Sequence, residues 1–188
     1  MPVLKYTFDA NKSVVLIKYI LQKFDSLKCD FLRLFKILYF AEQKHLVTYG
    51  RGITGDRYIA MKDGPVPSNI YDLLKVLRGD SVFAASQDLT NDFTIIGSYD
   101  IQLLRPEINL DIIAESELEC LNSSIEENRS LTFIELSSKS HDHAWTAAGR
   151  DNSIKLIEIA KAGGANDDFL KYIESIGENK YKLSIDSI

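Results

Sequence analysis

Residues 31–45 read FLRLFKILYFAEQKH, and we expect the fold to be built around them. Apolar side chains occupy nearly every position, which is typical of a helix packed on several sides rather than of one with a solvated face. Asp30, directly before the stretch, is a residue type that accepts hydrogen bonds from the first free N–H groups of a helix. We therefore predict a helix from Phe31 to about His45 at the centre of the protein.

Helical periodicity also appears on both sides of this central stretch. After Asp9, the apolar residues Val14, Ile17, Leu21 and Phe24 recur at steps of three and four, which predicts an amphipathic helix. Capping residues and periodicity predict five further helices, at 70–78 with Ser68 or Asn69 as the N-cap, at 111–128, after the capping box Thr132-x-x-Glu135, at 153–162, and at 167–176.

Glycine and proline are concentrated between residues 50 and 67, on both sides of the short stretch 57–61. Because glycine reaches conformations that other residues avoid and proline fixes its own, this pattern predicts a shaped loop around one short strand. Residues 80–92 are predicted to be a polar connection, and residues 93–104 to form two short strands or one bent strand. Together these elements predict an α+β, predominantly α-helical fold in which a small antiparallel sheet or hairpin accompanies the central helix.

The length of 188 residues predicts one domain spanning 1–188, with its motifs between about 10 and 175 and a tail at 179–188. A hydrophobic content of 45% and a charged content of 26% are typical of a soluble globular protein. No apolar run reaches the roughly 20 residues of a membrane span, and the N-terminus lacks the layout of a signal peptide. We therefore expect a cytoplasmic protein without membrane contact. Cys29 and Cys120 lack a neighbouring Cys-x-x-Cys partner and are predicted to be free thiols.

Charge is unevenly distributed along the chain. The net charge of −5 argues against nucleic-acid binding through phosphate contacts. Residues 1–50 hold eight basic and four acidic side chains, whereas residues 101–150 hold four basic and nine acidic ones. The basic first quarter is expected to contact either the acidic third quarter or an external partner. Glu115, Glu117 and Glu119 are the residues expected to steer a basic partner, if the acidic stretch serves that purpose.

Several residue patterns resemble known catalytic and ligand-binding signatures. The Gly50 to Gly55 segment resembles a phosphate-binding loop, but it follows a helix and precedes a predicted strand, the reverse of the order that directs amides at a phosphate. His45, His141 and His143, with Asp56 or Asp142, define an alternative: a small metal-dependent hydrolase or nucleotide-modifying enzyme. This alternative requires the side chains to converge on one pocket. The sequence otherwise predicts no catalytic residues, no metal and no cofactor.

Lys36 is unusual because it lies within the apolar central stretch. An unpaired buried ammonium is costly, so we expect Lys36 either to extend toward solvent or to pair with a carboxylate.

Five ordered motifs resemble the SocA-like family, also called Panacea: Leu38-Tyr-Phe-Ala-Glu-Gln-Lys-His45, Tyr49-Gly-Arg-Gly-Ile-Thr-Gly-Asp-Arg-Tyr-Ile-Ala-Met61, Gly64-Pro-Val-Pro67, Tyr71-Asp-Leu-Leu74 and Ser140-His-Asp-His-Ala-Trp145. This resemblance implies a mostly helical domain with a small sheet. It also implies an antitoxin from a bacterial or phage toxin-antitoxin pair. Members of the family neutralise a toxin by direct protein contact, and one branch presents its toxin to a protease as an adaptor.

We accordingly expect a binding protein that sequesters a toxin encoded by an adjacent gene, with a protease as a further partner in the adaptor variant. The functional surface is predicted at the loop from Tyr49 to Pro67, at Tyr71 and at His141 to Trp145. The individual candidates, as toxin-binding or family-motif residues, are Tyr39, His45, Tyr49, Gly50, Arg51, Thr54, Gly55, Asp56, Met61, Gly64, Pro65, Pro67, Tyr71, His141, His143 and Trp145.

Overall fold

The computed structural model describes residues 8–81 and 86–175. Its central helix, α2, spans Phe31–Tyr49 and begins where the sequence predicts, with the Asp30 carboxylate accepting a hydrogen bond from the Arg33 N–H at 2.8 Å. The helix continues about one turn beyond the predicted end at His45 because Leu46 is also buried, and it ends at Gly50. Helices and strands pack on several sides of α2, as its nearly uniform apolar surface predicts.

The other helices surround α2. The helix predicted after Asp9 is confirmed, although it ends before Phe24. Two short helices, α4 and α7, were not predicted; α4 lies in the stretch expected to be a polar connection. The helices are α1 (Ala10–Leu21), α3 (Ser68–Arg78), α4 (Gln87–Asp92), α5 (Glu115–Asn128), α6 (Phe133–Ser140), α7 (His143–Ala148) and α8 (Leu156–Ala162), and residues 167–175 are also helical. The predicted tail at 179–188 lies outside the described residues.

A three-stranded antiparallel sheet lies against the N-terminal half of α2. Its strands are β1 (Lys28–Asp30), β4 (Phe93–Ile96) and β5 (Asp100–Leu103), in the order β1-β5-β4. The β4–β5 hairpin confirms the two-strand alternative for residues 93–104. The turn of this hairpin is fixed to α2, because the Tyr99 carbonyl accepts a hydrogen bond from the Phe31 N–H at 2.7 Å. Strand β1 has only three residues, too few to show an alternating pattern in the sequence.

A separate hairpin joins β2 (Tyr58–Met61) to β3 (Gly64–Pro67). Strand β2 is confirmed, but the prediction that residues 64–67 belong to a loop is wrong. Proline is tolerated on an edge strand, where its missing N–H faces away from the sheet, and β3 is such an edge. On the other side of β2, Ile59 forms an isolated bridge with Ser153.

Two buried apolar clusters pack against α2. One joins α1, α3, α5 and the three-stranded sheet to the first half of α2, with Leu34 and Ile37 fully buried. The other joins β2, α7, α8 and residues 170 and 173 to Tyr39 and Leu46 of α2. The fold is α+β and predominantly helical, as predicted. No helix in the described part of the chain has the length and apolar character needed to cross a membrane.

Basic residues near the N-terminus pair with acidic residues from the third quarter of the chain. Lys12 and Glu117 form an ion pair of 2.5 Å, and Lys44 and Glu127 one of 2.7 Å. The basic first quarter therefore contacts the acidic third quarter of the same chain, which is one of the two alternatives that the charge distribution left open. The expectation that Glu117 steers an external partner is wrong, because this side chain is buried and holds Lys12.

Candidate functional site

The loop after α2 is fixed by a buried carboxylate from that helix. Glu42 is fully buried, and its Oε2 atom accepts hydrogen bonds from the N–H groups of Ile53 at 3.1 Å and Thr54 at 3.3 Å. Gly52 makes this approach possible, since a Cβ atom there would collide with Glu42 Oε1. Burial raises the pKa of the Glu42 carboxyl to about 7, although both backbone hydrogen bonds act in the opposite direction.

His45 fixes the same loop at its other end. Its Nδ1 atom lies 2.7 Å from the Arg51 carbonyl oxygen, which can only accept, so Nδ1 carries the proton. Its Nε2 atom lies 3.1 Å from the Ser116 hydroxyl on α5. Burial lowers the pKa of His45, which favours the neutral ring that these two contacts require. His45 therefore connects α2, the loop and α5, with no free nitrogen for a ligand.

Asp56 caps α3 from outside that helix. Its Oδ1 atom accepts hydrogen bonds from the Asn69 N–H and its Oδ2 atom from the Ile70 N–H, both at 2.9 Å. The prediction that Ser68 or Asn69 is the N-cap is wrong, since the cap position is Pro67, which makes no side-chain hydrogen bond there. The nearby Thr54 hydroxyl accepts a hydrogen bond from the Asp56 N–H at 3.0 Å. The candidate residues Thr54 and Asp56 therefore both make hydrogen bonds that hold the loop in place.

The Ser140–Trp145 motif is attached to the Leu38–His45 motif through Asp142. One carboxylate oxygen accepts hydrogen bonds from the Tyr39 hydroxyl at 2.7 Å and from Gln43, and the other caps α7 at the Trp145 N–H. Trp145 stacks on His141, with ring centroids 4.0 Å apart, and its indole N–H donates to the Met61 carbonyl at 2.8 Å. The candidates Tyr39, His141 and Trp145 therefore hold α7 against α2 and the β2–β3 hairpin.

The three histidines make separate contacts. The exposed His143 ring lies 2.9 Å from Glu158 of α8, whereas His45 contacts the loop and α5, and His141 contacts Trp145. Within residues 8–81 and 86–175 there is no group of three or more His, Cys, Asp and Glu side chains that could hold a metal ion. The convergence that the enzyme alternative requires is not formed by the described residues.

An open groove of about 690 Å³ lies beside the N-terminal half of α2. Its walls come from α2, the β2–β3 turn, α3, the β4–β5 turn, the start of α6 and residues 150–151. The apolar lining residues are Phe31, Leu32, Phe35, Met61, Val66, Tyr71, Tyr99 and Phe133. Five of these eight are aromatic, and such rings are enriched at the buried centres of protein interfaces.

The rim of the groove exposes large apolar side chains to solvent. Tyr99 is 62% exposed, Phe133 54% and Met61 37%, and the neighbouring Ile134 is 77% exposed. An exposed group of large apolar residues around a concavity is typical of a binding surface rather than of an ordinary solvated face.

Lys36 lines the groove and is only 1% exposed. Its Nζ atom donates to the Pro65 carbonyl oxygen at 2.9 Å. The expectation that Lys36 pairs with a carboxylate or reaches solvent is wrong, because none of the described carboxylates lies within ion-pair distance of it. Burial lowers the pKa of Lys36 to about 7, although Asp63 and Asp142 favour the charged form.

Of the predicted surface residues, Met61 and Tyr71 line the groove. Three of the predicted residues are exposed outside the groove: Tyr49, Arg51 and His143. Five others shape the backbone of the loop and hairpin: Gly50, Gly55, Gly64, Pro65 and Pro67. Sequence reasoning missed Phe31, Phe35, Tyr99 and Phe133 as site residues. One signal was present for Phe133: successive helical positions lie about 100° apart, so Phe133, Ile134 and Leu136 of α6 cannot all face the core.

The family model described as antitoxin SocA-like, Panacea domain, matches residues 34–146, which is more than half of the chain. No curated protein and no solved structure matches this chain.

Proposed function

Because the chain belongs to the SocA-like antitoxin family with a Panacea domain, we propose that it is an antitoxin that neutralises a toxin protein by binding it directly. The observation that carries this proposal is the open groove with five aromatic rings and an exposed apolar rim. We expect the toxin to be encoded by an adjacent gene and both proteins to be cytoplasmic.

The arrangement of the motif residues supports binding at the groove rather than catalysis at the loop. Glu42, His45, Asp56 and Asp142 use their polar atoms to hold backbone or neighbouring side chains in place. These contacts fix the β2–β3 hairpin and α3, which contribute Met61 and Tyr71 to the groove. In this proposal, the motif residues keep the binding surface in shape, and the exposed groove residues contact the toxin.

Affinity purification of the tagged chain from its own cells, with mass spectrometry of the bound proteins, tests the first part. We expect one protein from a neighbouring gene to co-purify, and co-expression of this chain to rescue cells from that protein's toxicity. A well-folded preparation that recovers no such protein, and rescues no neighbouring toxic gene, contradicts the antitoxin proposal.

Substitutions at the rim test the placement of the toxin. Phe133→Asp and Tyr99→Asp each put a charge on a large exposed apolar contact, so we expect about a 30-fold or greater loss of toxin affinity with little change in thermal stability. Tyr172→Asp is the matched control, because Tyr172 is 52% exposed but lies against a different surface depression. Equal losses in all three variants contradict binding at the groove.

The protease-adaptor variant of the proposal makes a separate prediction about the lifetime of the toxin. If the chain presents its toxin to a protease, the toxin half-life shortens when the chain is co-expressed. Simple sequestration leaves that half-life unchanged or lengthens it. A pulse-chase experiment with and without the chain distinguishes the two mechanisms.

A further inference from the structure

The buried ammonium of Lys36 has unused hydrogen-bonding capacity beside the groove. A lysine ammonium carries three N–H donors, and the only acceptor for Lys36 among the described residues is the Pro65 carbonyl. Burying a charge with so few partners is unfavourable, and the pKa of Lys36 is lowered accordingly. A further oxygen acceptor that enters the groove therefore gains a strong, charge-assisted contact.

The carboxylates of Asp142 and Asp63 do not supply this further acceptor for Lys36. Both oxygens of Asp142 already accept hydrogen bonds, from Tyr39 and Gln43 on one side and from the Trp145 N–H on the other. Asp63 lies in the exposed β2–β3 turn and forms no hydrogen bond or ion pair within the described part of the chain. Lys36 is thus attracted by two carboxylates without direct contact to either.

The edge of β3 limits how a partner can bind here. In a strand, the N–H and C=O of one residue point to the same side, and the Pro65 carbonyl points away from β2 toward Lys36. Pro65 and Pro67 occupy alternate positions and therefore both face outward, where neither has an N–H. An added strand finds no donors at these positions, so the partner has to engage the groove through its side chains.

We propose, building on the antitoxin function above, that the groove binds an amphipathic helix of the toxin, which inserts large apolar side chains among the aromatic rings and places one acidic side chain against Lys36. An amphipathic helix is the usual way for a protein segment to fill an apolar groove without backbone pairing. The acidic side chain supplies the acceptor that Lys36 lacks, and the apolar face covers Tyr99 and Phe133.

A library experiment tests this proposal without the toxin. The full chain is immobilised and used to select from displayed helical peptides of about 16 residues, roughly four turns, with one helix face randomised. We expect the selected peptides to carry several large apolar residues and one Asp or Glu at a fixed spacing from them. Selection on Lys36→Met should keep the apolar residues and lose the acidic one, because the ammonium is gone.

Lys62→Met is the matched control, since Lys62 also lines the groove but lies on its exposed rim. Selection on this variant should still enrich the acidic residue. Replacing the selected Glu by Gln in one peptide should weaken binding to the original chain about tenfold or more, and to Lys36→Met less than about twofold. Selected peptides without an acidic residue, or equal acidic enrichment on the original chain and Lys36→Met, overturn the proposal.

Two measurements keep the test decisive. If Lys36→Met does not fold, NMR of the original chain with ¹³Cε-labelled lysine takes the place of that variant. The Lys36 signal should shift on binding of the Glu peptide and not on binding of the Gln peptide. Equal shifts with both peptides overturn the proposal. Once a toxin is purified, the selected peptide should compete with it. A toxin that binds equally well at saturating peptide overturns this inference and leaves the antitoxin function intact.

Discussion

Asp56 shows how a single family-motif residue acts at a distance along the chain. It lies in the loop before β2, yet it caps α3, which begins twelve residues later at Ser68. The carboxylate also accepts hydrogen bonds from the Arg57 N–H and from the Asn69 side chain. Glu42 acts similarly from α2 on the loop at Ile53 and Thr54. At the residue scale, the buried polar groups of the motifs therefore define backbone geometry.

We expect Asp56→Ala to lower the free energy of unfolding by about 3 kcal/mol, because it leaves several buried N–H groups without an acceptor. Asp72→Asn on the exposed face of α3 is the control and should change stability by less than about 0.5 kcal/mol. Urea unfolding of both variants measures the difference. Similar stabilities for the two would refute the capping role of Asp56.

The Glu42 carboxyl makes stability depend on pH. Its pKa in the folded state is about 7, above the ordinary value of 4.5, so between these values the folded chain holds a proton that the unfolded chain releases. The stability contribution of Glu42 is therefore fully present below about pH 4.5 and falls as pH rises to 7, by about 3 kcal/mol.

Glu42→Gln should remove this component, so its stability should decline less than that of the original chain between pH 5 and pH 7.5. Urea unfolding at both pH values measures the effect. The exposed Glu126→Gln is the control and should retain the full pH dependence. If Glu42→Gln shows the same decline as the original chain, the buried carboxyl is not its source.

At the element scale, the β2–β3 hairpin connects the motifs to the groove. Gly64 begins β3 with a φ of +102°, a conformation that L side chains rarely adopt. A Cβ atom there would collide with Ser140 Oγ and lie 2.7 Å from Lys36 Nζ. The hairpin, the end of α6 and Lys36 in the N-terminal half of α2 therefore meet at a point where only glycine fits.

Gly64→Ala should lower the free energy of unfolding by about 2 kcal/mol more than Gly79→Ala. Both positions have positive φ values, so both substitutions introduce backbone strain. Gly79 has open space where a Cβ atom would lie, which makes the difference between the variants a measure of the steric conflict at Gly64. Denaturant unfolding provides the measurement, and equal losses would show that Ser140 and Lys36 move aside without cost.

At the scale of the whole molecule, ion pairs connect segments far apart in sequence. Lys12 of α1 pairs with Glu117 of α5, and the second Glu117 oxygen accepts a hydrogen bond from the Ala114 N–H at 2.9 Å. Lys44 and Lys139 both pair with Glu127. The basic first quarter of the chain is therefore partly neutralised within the fold, whereas Glu115, Glu119 and Glu126 of α5 are exposed.

We expect Glu117→Gln to lower the free energy of unfolding by about 2 kcal/mol, because a largely buried lysine then loses its counter-charge. The control is Glu115→Gln, an exposed carboxylate in the same first turn of α5, which should change stability by less than about 0.5 kcal/mol. Thermal unfolding of both variants checks this. An unchanged unfolding temperature for Glu117→Gln contradicts a structural role for the pair.

The elements that depend on neighbouring residues could be predicted from the amino-acid sequence. The start of α2 at Asp30, the start of α1 at Asp9 and the capping box at Thr132 all follow from side chains three residues from the N–H groups they bind. The apolar pattern of residues 31–45 likewise placed α2 at the centre, because only a helix buried on several sides can hide such a surface. The order of the motifs indicated the family.

The residues that form the groove, and the contacts that the motif residues make, could be identified only from the folded chain. Phe31, Tyr99 and Phe133 lie far apart in the chain and meet because the β4–β5 turn and the start of α6 both pack beside α2. Two other contacts also join residues far apart in the chain. Asp56 caps α3 at Ile70, 14 residues away, and Lys36 donates to Pro65, 29 residues away. Such contacts depend on the path of the whole chain, which local propensity and periodicity do not encode.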